Sequence, residues 1–142
     1  MMYNNCLSDN VENIVVESSH RTKNALVCIE HLKKAGFFNN DKLKIIFDLL
    51  KNEEFFKNKL TSMDIVDEKY IQLVFDNECC SDCDPMKLYP IISKYIQTLF
   101  IESKEELKQY YEYESDIDFV ISNSVLACTL IRSEKNTIKI VF

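Results

Sequence analysis

The fold is decided by the stretch from Val74 to Glu102, which reads VFDNECCSDCDPMKLYPIISKYIQTLFIE. Its second half, Pro85 to Glu102, carries apolar residues in two adjacent columns at helical spacing: Leu88, Ile91, Ile92, Tyr95, Ile96, Leu99 and Phe100. A helix that is apolar on most sides has to be surrounded by other helices. The stretch therefore predicts a central helix over about 85–102.

The ends of this helix also have sequence signals. Asp84 is the expected N-cap, and Pro85 follows at the first helical position, where the missing N–H of proline costs nothing. Pro90 lies about one turn further on, where it removes a hydrogen bond. We expect Pro90 either to kink the helix or to delay its start.

Composition indicates a single helical domain, residues 1–142. The chain is 46% hydrophobic and 28% charged, and its length is enough to bury a real core. A net charge of −6 argues against nucleic acid as a partner, because phosphates require a basic surface. The single glycine, Gly36, argues against glycine-rich phosphate loops and disfavours an all-β architecture, which needs glycine in its turns.

The rest of the chain is predicted to be helical as well. Helices are expected over 10–18, over 22–35 with Gly36 as C-cap, from a cap at Asn40 through Leu50, from Asp64 to Phe75, from a capping box at Ser103 and Glu106, and from Ile117 to Ile131. Phe55 to Leu60 is expected to form a second short helix or an irregular turn, and Ile138 to Phe142 reads as a strand-like tail. The expected fold is an all-α bundle of seven to eight helices around the central helix.

The six cysteines do not indicate a disulfide framework. The first ten residues are polar, unlike a secretory signal, so we expect reduced thiols and an intracellular location. Cys79, Cys80 and Cys83 lie in an acidic loop, but a closed zinc site needs four ligands, and nothing places His20 or His31 nearby. The loop is interpreted as solvated, with its cysteines' role open, and neither a metal nor a cofactor is expected.

No arrangement of residues predicts an enzyme. Cys28 and His31 lie three apart on a predicted helix, without the third group and oxyanion site that a hydrolytic dyad needs. The acid pairs Glu53–Glu54 and Glu105–Glu106 are interpreted as solvated helix ends. We therefore expect no catalytic residues.

The segment from Lys59 to Leu99 resembles the divergent Bcl-2-like apoptosis inhibitors of poxviruses. In that family a helix ending in an apolar–acidic pair leads through a loop to an Arg-Leu that opens the central helix; the counterparts here are Phe75-Asp76 and Lys87-Leu88. The resemblance covers about forty residues. The Asn-Trp-Gly-Arg signature of cellular members is absent. Lys87 replaces the usual arginine, and a lysine ammonium cannot form the paired hydrogen bonds of a guanidinium.

The resemblance implies an inhibitor of host apoptosis whose groove binds the BH3 helices of pro-apoptotic proteins. It places the protein in the host cytoplasm or at the mitochondrial outer membrane, with membrane contact only through a segment that this chain does not contain. Lys87 would hold the aspartate of the bound helix. The implied groove residues are Phe47, Leu50, Phe56, Tyr70, Ile71, Val74, Lys87 and Leu88.

Two alternatives stay open. The same family includes proteins that bind signalling adaptors and block the NF-κB or interferon pathway, and these would not need a cation at Lys87. A structural helical subunit unrelated to Bcl-2 is the weaker alternative. A homodimer is also considered, since Pro90 and the polar loop before it could serve as a hinge for domain swapping.

Overall fold

The computed structural model describes residues 25–76 and 83–142 of the chain. Its elements, in chain order, are helix α1 over residues 25–34, helix α2 (Asn40–Lys51), a 3₁₀ turn (Glu54–Phe56), strands β1 (Leu60–Val66) and β2 (Tyr70–Phe75), helices α3 (Pro85–Glu102), α4 (Lys104–Leu107) and α5 (Glu114–Ser122), a second 3₁₀ turn (Ser124–Ala127), and strands β3 (Thr129–Glu134) and β4 (Thr137–Val141). The helix predicted over 10–18 lies outside the described residues, as does the start of the one predicted over 22–35.

The expected all-α, Bcl-2-like bundle is wrong. The four strands form one antiparallel sheet in the order β1-β2-β4-β3, so the protein is a mixed α/β fold. Two hairpins, β1–β2 and β3–β4, lie far apart in the sequence and meet where β2 pairs with β4. This long-range pairing gives no signal in a local reading of the chain.

The helix predicted from Asp64 to Phe75 is instead the β1–β2 hairpin. Burial in β2 alternates strictly, with Ile71, Leu73 and Phe75 fully buried and the residues between them half-buried. The prediction was wrong because Tyr70, Ile71, Val74 and Phe75 also fit a helical spacing, and a short apolar run is compatible with both periods.

The turn of this hairpin explains why no hairpin signal was visible. Asp67 and Glu68 both have positive φ, 53° and 58°, and the Lys69 N–H donates to the Val66 carbonyl at 2.9 Å. Positive φ at both central residues is the requirement of a type I′ turn, which normally selects Asn-Gly or Asp-Gly. Asp67 is a residue type that tolerates this conformation, but Glu68 lies where glycine is favoured and adopts it at a cost in strain.

The second hairpin replaces the end of a predicted helix. Helix α5 ends at Ser122, and Ile131, expected on that helix, lies in β3. The strand-like tail is confirmed as β4, with Ile138 and Ile140 fully buried. Paired with β2 and β3, this tail is part of the centre of the sheet.

The central helix is confirmed with its predicted bounds. The side chain of Asp84 accepts a hydrogen bond from the Met86 N–H at 3.0 Å, and Pro85 occupies the first turn. Helix α3 starts at Pro85, so Pro90 does not delay it, and the exposed Pro90 lies inside the continuous helix.

The other helix ends follow the sequence in part. Gly36 has φ +86°, and the pair of bonds Gly36 N–H to Lys33 carbonyl and Phe37 N–H to Leu32 carbonyl forms a Schellman cap, as the C-cap glycine predicted. The cap of α2 is Asn39 and not Asn40. Helix α4 does follow Ser103, but no side-chain capping bond forms there.

The core lies between one face of the sheet and the helices. Directly opposed residues share a side of an antiparallel sheet. The register therefore gives two apolar rows on the inner face, Ile65–Ile71–Ile140–Leu130 and Met63–Leu73–Ile138–Arg132, of which only the edge residue Arg132 is charged. These rows form one cluster with Ile92, Ile96, Leu99 and Phe100 of α3. Within the described residues, no helix is long and apolar enough to span a bilayer.

Candidate functional site

The eight residues of the implied groove do not line one surface. Four of them, Leu50, Phe56, Ile71 and Leu88, are buried in the core, with relative exposures of 0 to 5%. Phe47 of α2 packs against the same core. These five side chains hold the helices and the sheet together and are not available as pockets for a bound helix.

The remaining three lie elsewhere. Tyr70 and Val74 are half-buried on the other side of the sheet from Ile71, because neighbouring residues in a strand point to opposite faces. Lys87 is exposed in the first turn of α3. The structure therefore separates the predicted groove into a core, a sheet surface and a helix end.

The side of the sheet that faces away from the helices, the outer face, is the candidate site. Three rows cross it in β1–β2–β4–β3 order. They are Val66–Tyr70–Val141–Thr129, Asp64–Gln72–Lys139–Ile131 and Ser62–Val74–Thr137–Glu134. None of its apolar residues belongs to the core cluster, and Ile131 is 45% exposed. Exposure differs within the face, and Thr137 in the third row is only 6% exposed.

The rows of the outer face differ in polarity. The first row is apolar apart from its threonine, while the second carries a carboxylate at Asp64 and an ammonium at Lys139. The Lys139 Nζ lies 4.9 Å from the centroid of the Tyr70 ring, a cation–π contact that holds the lysine side chain across the sheet surface. The charge pattern is therefore ordered in space.

A shallow cavity of about 400 Å³ lies on the outer face beside the β3–β4 turn. It is lined by Gln72, Val74, Ser133, Glu134, Asn136, Thr137 and Lys139. Such a size is at the lower end of ligand pockets, but those are mainly apolar, and this one is mainly polar. We interpret the cavity as a recess in a contact surface.

Two sets of hydrogen bonds fix the β3–β4 turn, which forms the rim of this cavity. Asn136 accepts a hydrogen bond from the Phe75 N–H through its carbonyl and donates from its side-chain amide to the Phe75 carbonyl, both at 2.8 Å. Arg132 donates twice to the Lys135 carbonyl, at 3.2 and 2.9 Å. The β3–β4 turn is thus tied to the end of β2 and to its own strand, which gives the outer face a defined shape.

The most perturbed carboxylate, Glu53, serves the fold. It accepts hydrogen bonds from the Tyr95 hydroxyl and from the Phe55 N–H at 2.9 Å, and it pairs with the Lys94 ammonium at 3.0 Å. These contacts, led by the tyrosine, lower the pKa of Glu53 to about 2. The carboxylate joins the connection after α2 to the middle of α3, and this corrects the interpretation of Glu53 as a solvated helix end.

A second buried charge also has a structural partner. The Lys42 ammonium, on a side chain only 9% exposed, lies 2.9 Å from a carboxylate oxygen of Glu106 and 4.6 Å from the Phe37 ring centroid. The predicted capping box had assigned Glu106 to the Ser103 N–H. The tertiary ion pair to α2 takes its place, because a buried lysine needs a charged partner.

The cysteines that the structure describes do not form a reactive site. Cys83 is fully buried, while Cys79 and Cys80 lie outside the described residues. Burial raises the pKa of the Cys128 thiol to about 12, and burial together with nearby Asp116 raises that of Cys28. A raised pKa keeps a thiol protonated and unreactive. Residues 25–76 and 83–142 contain no cluster of His, Cys, Asp and Glu suited to a metal ion.

The outer face was missed because it depends on the sheet. Its one visible signal was the alternation in the last residues, Thr137 to Val141, which was noted only as a strand-like tail. Tyr70 and Val74 were singled out, but as groove residues. Their real neighbours across the strands, Val141 and Thr137, come from about seventy residues away and could not be assigned without the register.

Comparison with known proteins gives no relative for this arrangement: no protein-family model, no curated protein and no solved structure matches the chain.

Proposed function

We propose that this protein binds another protein through the outer face of its sheet and does not act as an enzyme. The observation that supports this proposal is the composition of that face. An antiparallel sheet with one solvated face normally carries polar residues at its outward positions. Here Val66, Tyr70, Val74, Val141 and Ile131 occupy outward positions, outside the core cluster.

The contacts of the two best-paired charged groups, Glu53 and Lys42, favour binding over catalysis. The Glu53 carboxylate is bound to Tyr95, Lys94 and the backbone, and the Lys42 ammonium is paired with Glu106. Each of these groups connects two elements of the fold. By contrast, a tyrosine among apolar side chains, as in the first row of the outer face, is typical of the centre of a protein interface.

The test compares two isoleucine-to-arginine variants of the full chain. Ile131→Arg changes the outer face, and Ile101→Arg changes α3 at a similar exposure, 45% against 55%. Immobilised wild type and both variants are incubated with the same cell extract, and captured proteins are quantified by mass spectrometry. We expect proteins that bind the wild type and Ile101→Arg but not Ile131→Arg, and that bind again as purified components. Equal capture by all three proteins, together with a wild type that is monomeric in sedimentation velocity, overturns the proposed surface.

The identity of the partner is a separate proposal that depends on the resemblance alone. BH3-containing pro-apoptotic proteins are the proposed partners, and an innate-signalling adaptor is the alternative. The Bcl-2-like groove no longer supports either, because its residues are divided among the core, the outer face and α3. Calorimetric titration with a panel of BH3 peptides, one with its aspartate changed to alanine, decides the matter. Absence of binding to a folded protein removes the apoptosis proposal.

A further inference from the structure

The outer face is complementary to itself. Strand β2 runs between β1 and β4, so each row has one β2 residue with a neighbour on either side. In the middle row these neighbours are Asp64 and Lys139, which have opposite charges and flank Gln72. In the first row both neighbours of Tyr70 are valines, Val66 and Val141. In the third row the neighbours of Val74 are Ser62 and Thr137, and both of these residues carry hydroxyl groups.

This pattern has a consequence for two copies that face each other. A two-fold axis parallel to β2 and lying between the copies places β1 of each over β4 of the other. Asp64 of one protomer then lies over Lys139 of its partner, and the reverse pair forms as well. Val66 meets Val141, and Ser62 lies over the mostly buried Thr137. The β2 residues Tyr70, Gln72 and Val74 each meet their own counterparts. An isologous interface requires this kind of self-complementary surface.

From this register we propose that two copies of the chain pack outer face against outer face about a two-fold axis parallel to β2. The inference rests on the proposed function, since it names a second copy as the protein that the outer face binds. The two intermolecular pairs between Asp64 and Lys139 set the register of the interface. Tyr70, which lies under the Lys139 ammonium, provides the apolar contact at the axis.

Net charge and contact area together determine the affinity of this dimer. The chain carries a net charge of −6, so two copies repel each other at long range. The nine outer-face residues of β1, β2 and β4 are neutral in sum, because Asp64 and Lys139 cancel. The two faces overlap on three strands, because β3 lies beyond β1 of the partner, and three strands of this length cover roughly 15 Å by 20 Å, which belongs with small, reversible interfaces. We therefore expect a concentration-dependent dimer that tightens when salt screens the net charge.

A charge-swap cycle on the full chain tests this geometry. In Asp64→Lys, two lysines face each other at both pairs, and in Lys139→Glu two carboxylates do. Each single variant should raise the dimer dissociation constant about tenfold or more, because like charges oppose each other across the interface. The double variant, and an equimolar mixture of the two single variants, restores opposite charges and should return to within about threefold of the wild type. Sedimentation velocity over a concentration series measures all five samples.

The outcomes are distinct. A wild type that stays monomeric to millimolar concentration overturns the dimer, and so does a dimer that is insensitive to both single variants or is not rescued by the swap. Thermal unfolding of each monomer is the control for folding. A large loss of monomer stability in the single variants, without a change in association, shows that the chain's own residues cover the face and also overturns the proposal.

Failure of the dimer and failure of the proposed function can be told apart. If the chain is monomeric but Ile131→Arg still loses captured proteins that Ile101→Arg retains, the outer face binds a different protein and only the dimer is wrong. If capture is equal in all variants and the chain is monomeric, both proposals are wrong.

Discussion

Helix α3 and the β1–β2 hairpin lie next to each other in the sequence and both are rich in apolar residues, yet they depend on different information. The start of α3 is marked by Asp84 and Pro85, and most of its contacts that define a helix are local. The hairpin turn lacks the glycine that a type I′ turn favours, and β2 is a buried strand only because β4 pairs with it from the other end of the chain. An element with local signals can be predicted, whereas an element completed by a distant partner cannot.

The largest effect expected from this comparison is in β2. Leu73 is fully buried in the core, and Val74 beside it lies half-buried on the outer face. Leu73→Ala should lower the free energy of unfolding by about 3 kcal/mol, through lost burial and a cavity. Val74→Ala should cost less than about 1 kcal/mol. Urea denaturation measures both, and equal costs would contradict a strand with one buried face.

The next effect concerns the contact that ties α3 to the rest of the protein. Glu53→Gln replaces the charged acceptor of Tyr95 and Lys94 and should cost about 1.5 kcal/mol at neutral pH. The folded-state pKa of Glu53 is lowered to about 2 from its usual 4.5. Its stabilising contribution is therefore complete above about pH 4.5 and is lost as the pH falls towards 2.

The pH dependence gives this prediction its control. The difference in unfolding free energy between wild type and Glu53→Gln should shrink steadily as the pH is lowered from 5 to 2. A difference that stays constant over this range would show that the carboxylate does not titrate as the structure implies.

A smaller effect is expected at the local signal of α3. Asp84→Ala removes the acceptor for the Met86 N–H and should lower the free energy of unfolding by about 1 kcal/mol. Asp84→Ser retains a capping oxygen and is the matched control. Thermal unfolding of both variants is sufficient, and a loss of the same size in the serine variant would mean that the cap bond is not the cause.

The smallest effect is at the hairpin turn, and its sign is opposite. Glu68→Gly removes the strain of a positive φ but increases the freedom of the unfolded chain, so a net gain of about 0.5 kcal/mol is expected. Glu68→Ala keeps the strain and should bring no gain. Thermal unfolding of both variants measures the difference.

The same distinction between local and distant information explains what could be predicted of the site. The helical period that the sequence suggests places Tyr70 and Val74 on one surface with Ile71. In a strand these residues alternate between the outer face and the core. Asp64 and Lys139, the charges on which the proposed dimer depends, were not singled out at all, because only the pairing of both hairpins brings them into one row.

The amino-acid sequence by itself determined the bounds and the cap of α3, the glycine that ends α1, and the apolar character of the last strand. These are features of adjacent residues, where a capping side chain or a glycine acts within one turn of the backbone. Only the tertiary structure decided that the chain contains a sheet, which face of it is buried, and that Glu106 pairs with Lys42. These features depend on residues that are distant in sequence. The sheet forms in spite of the local helical pattern because it buries its inner rows against α3.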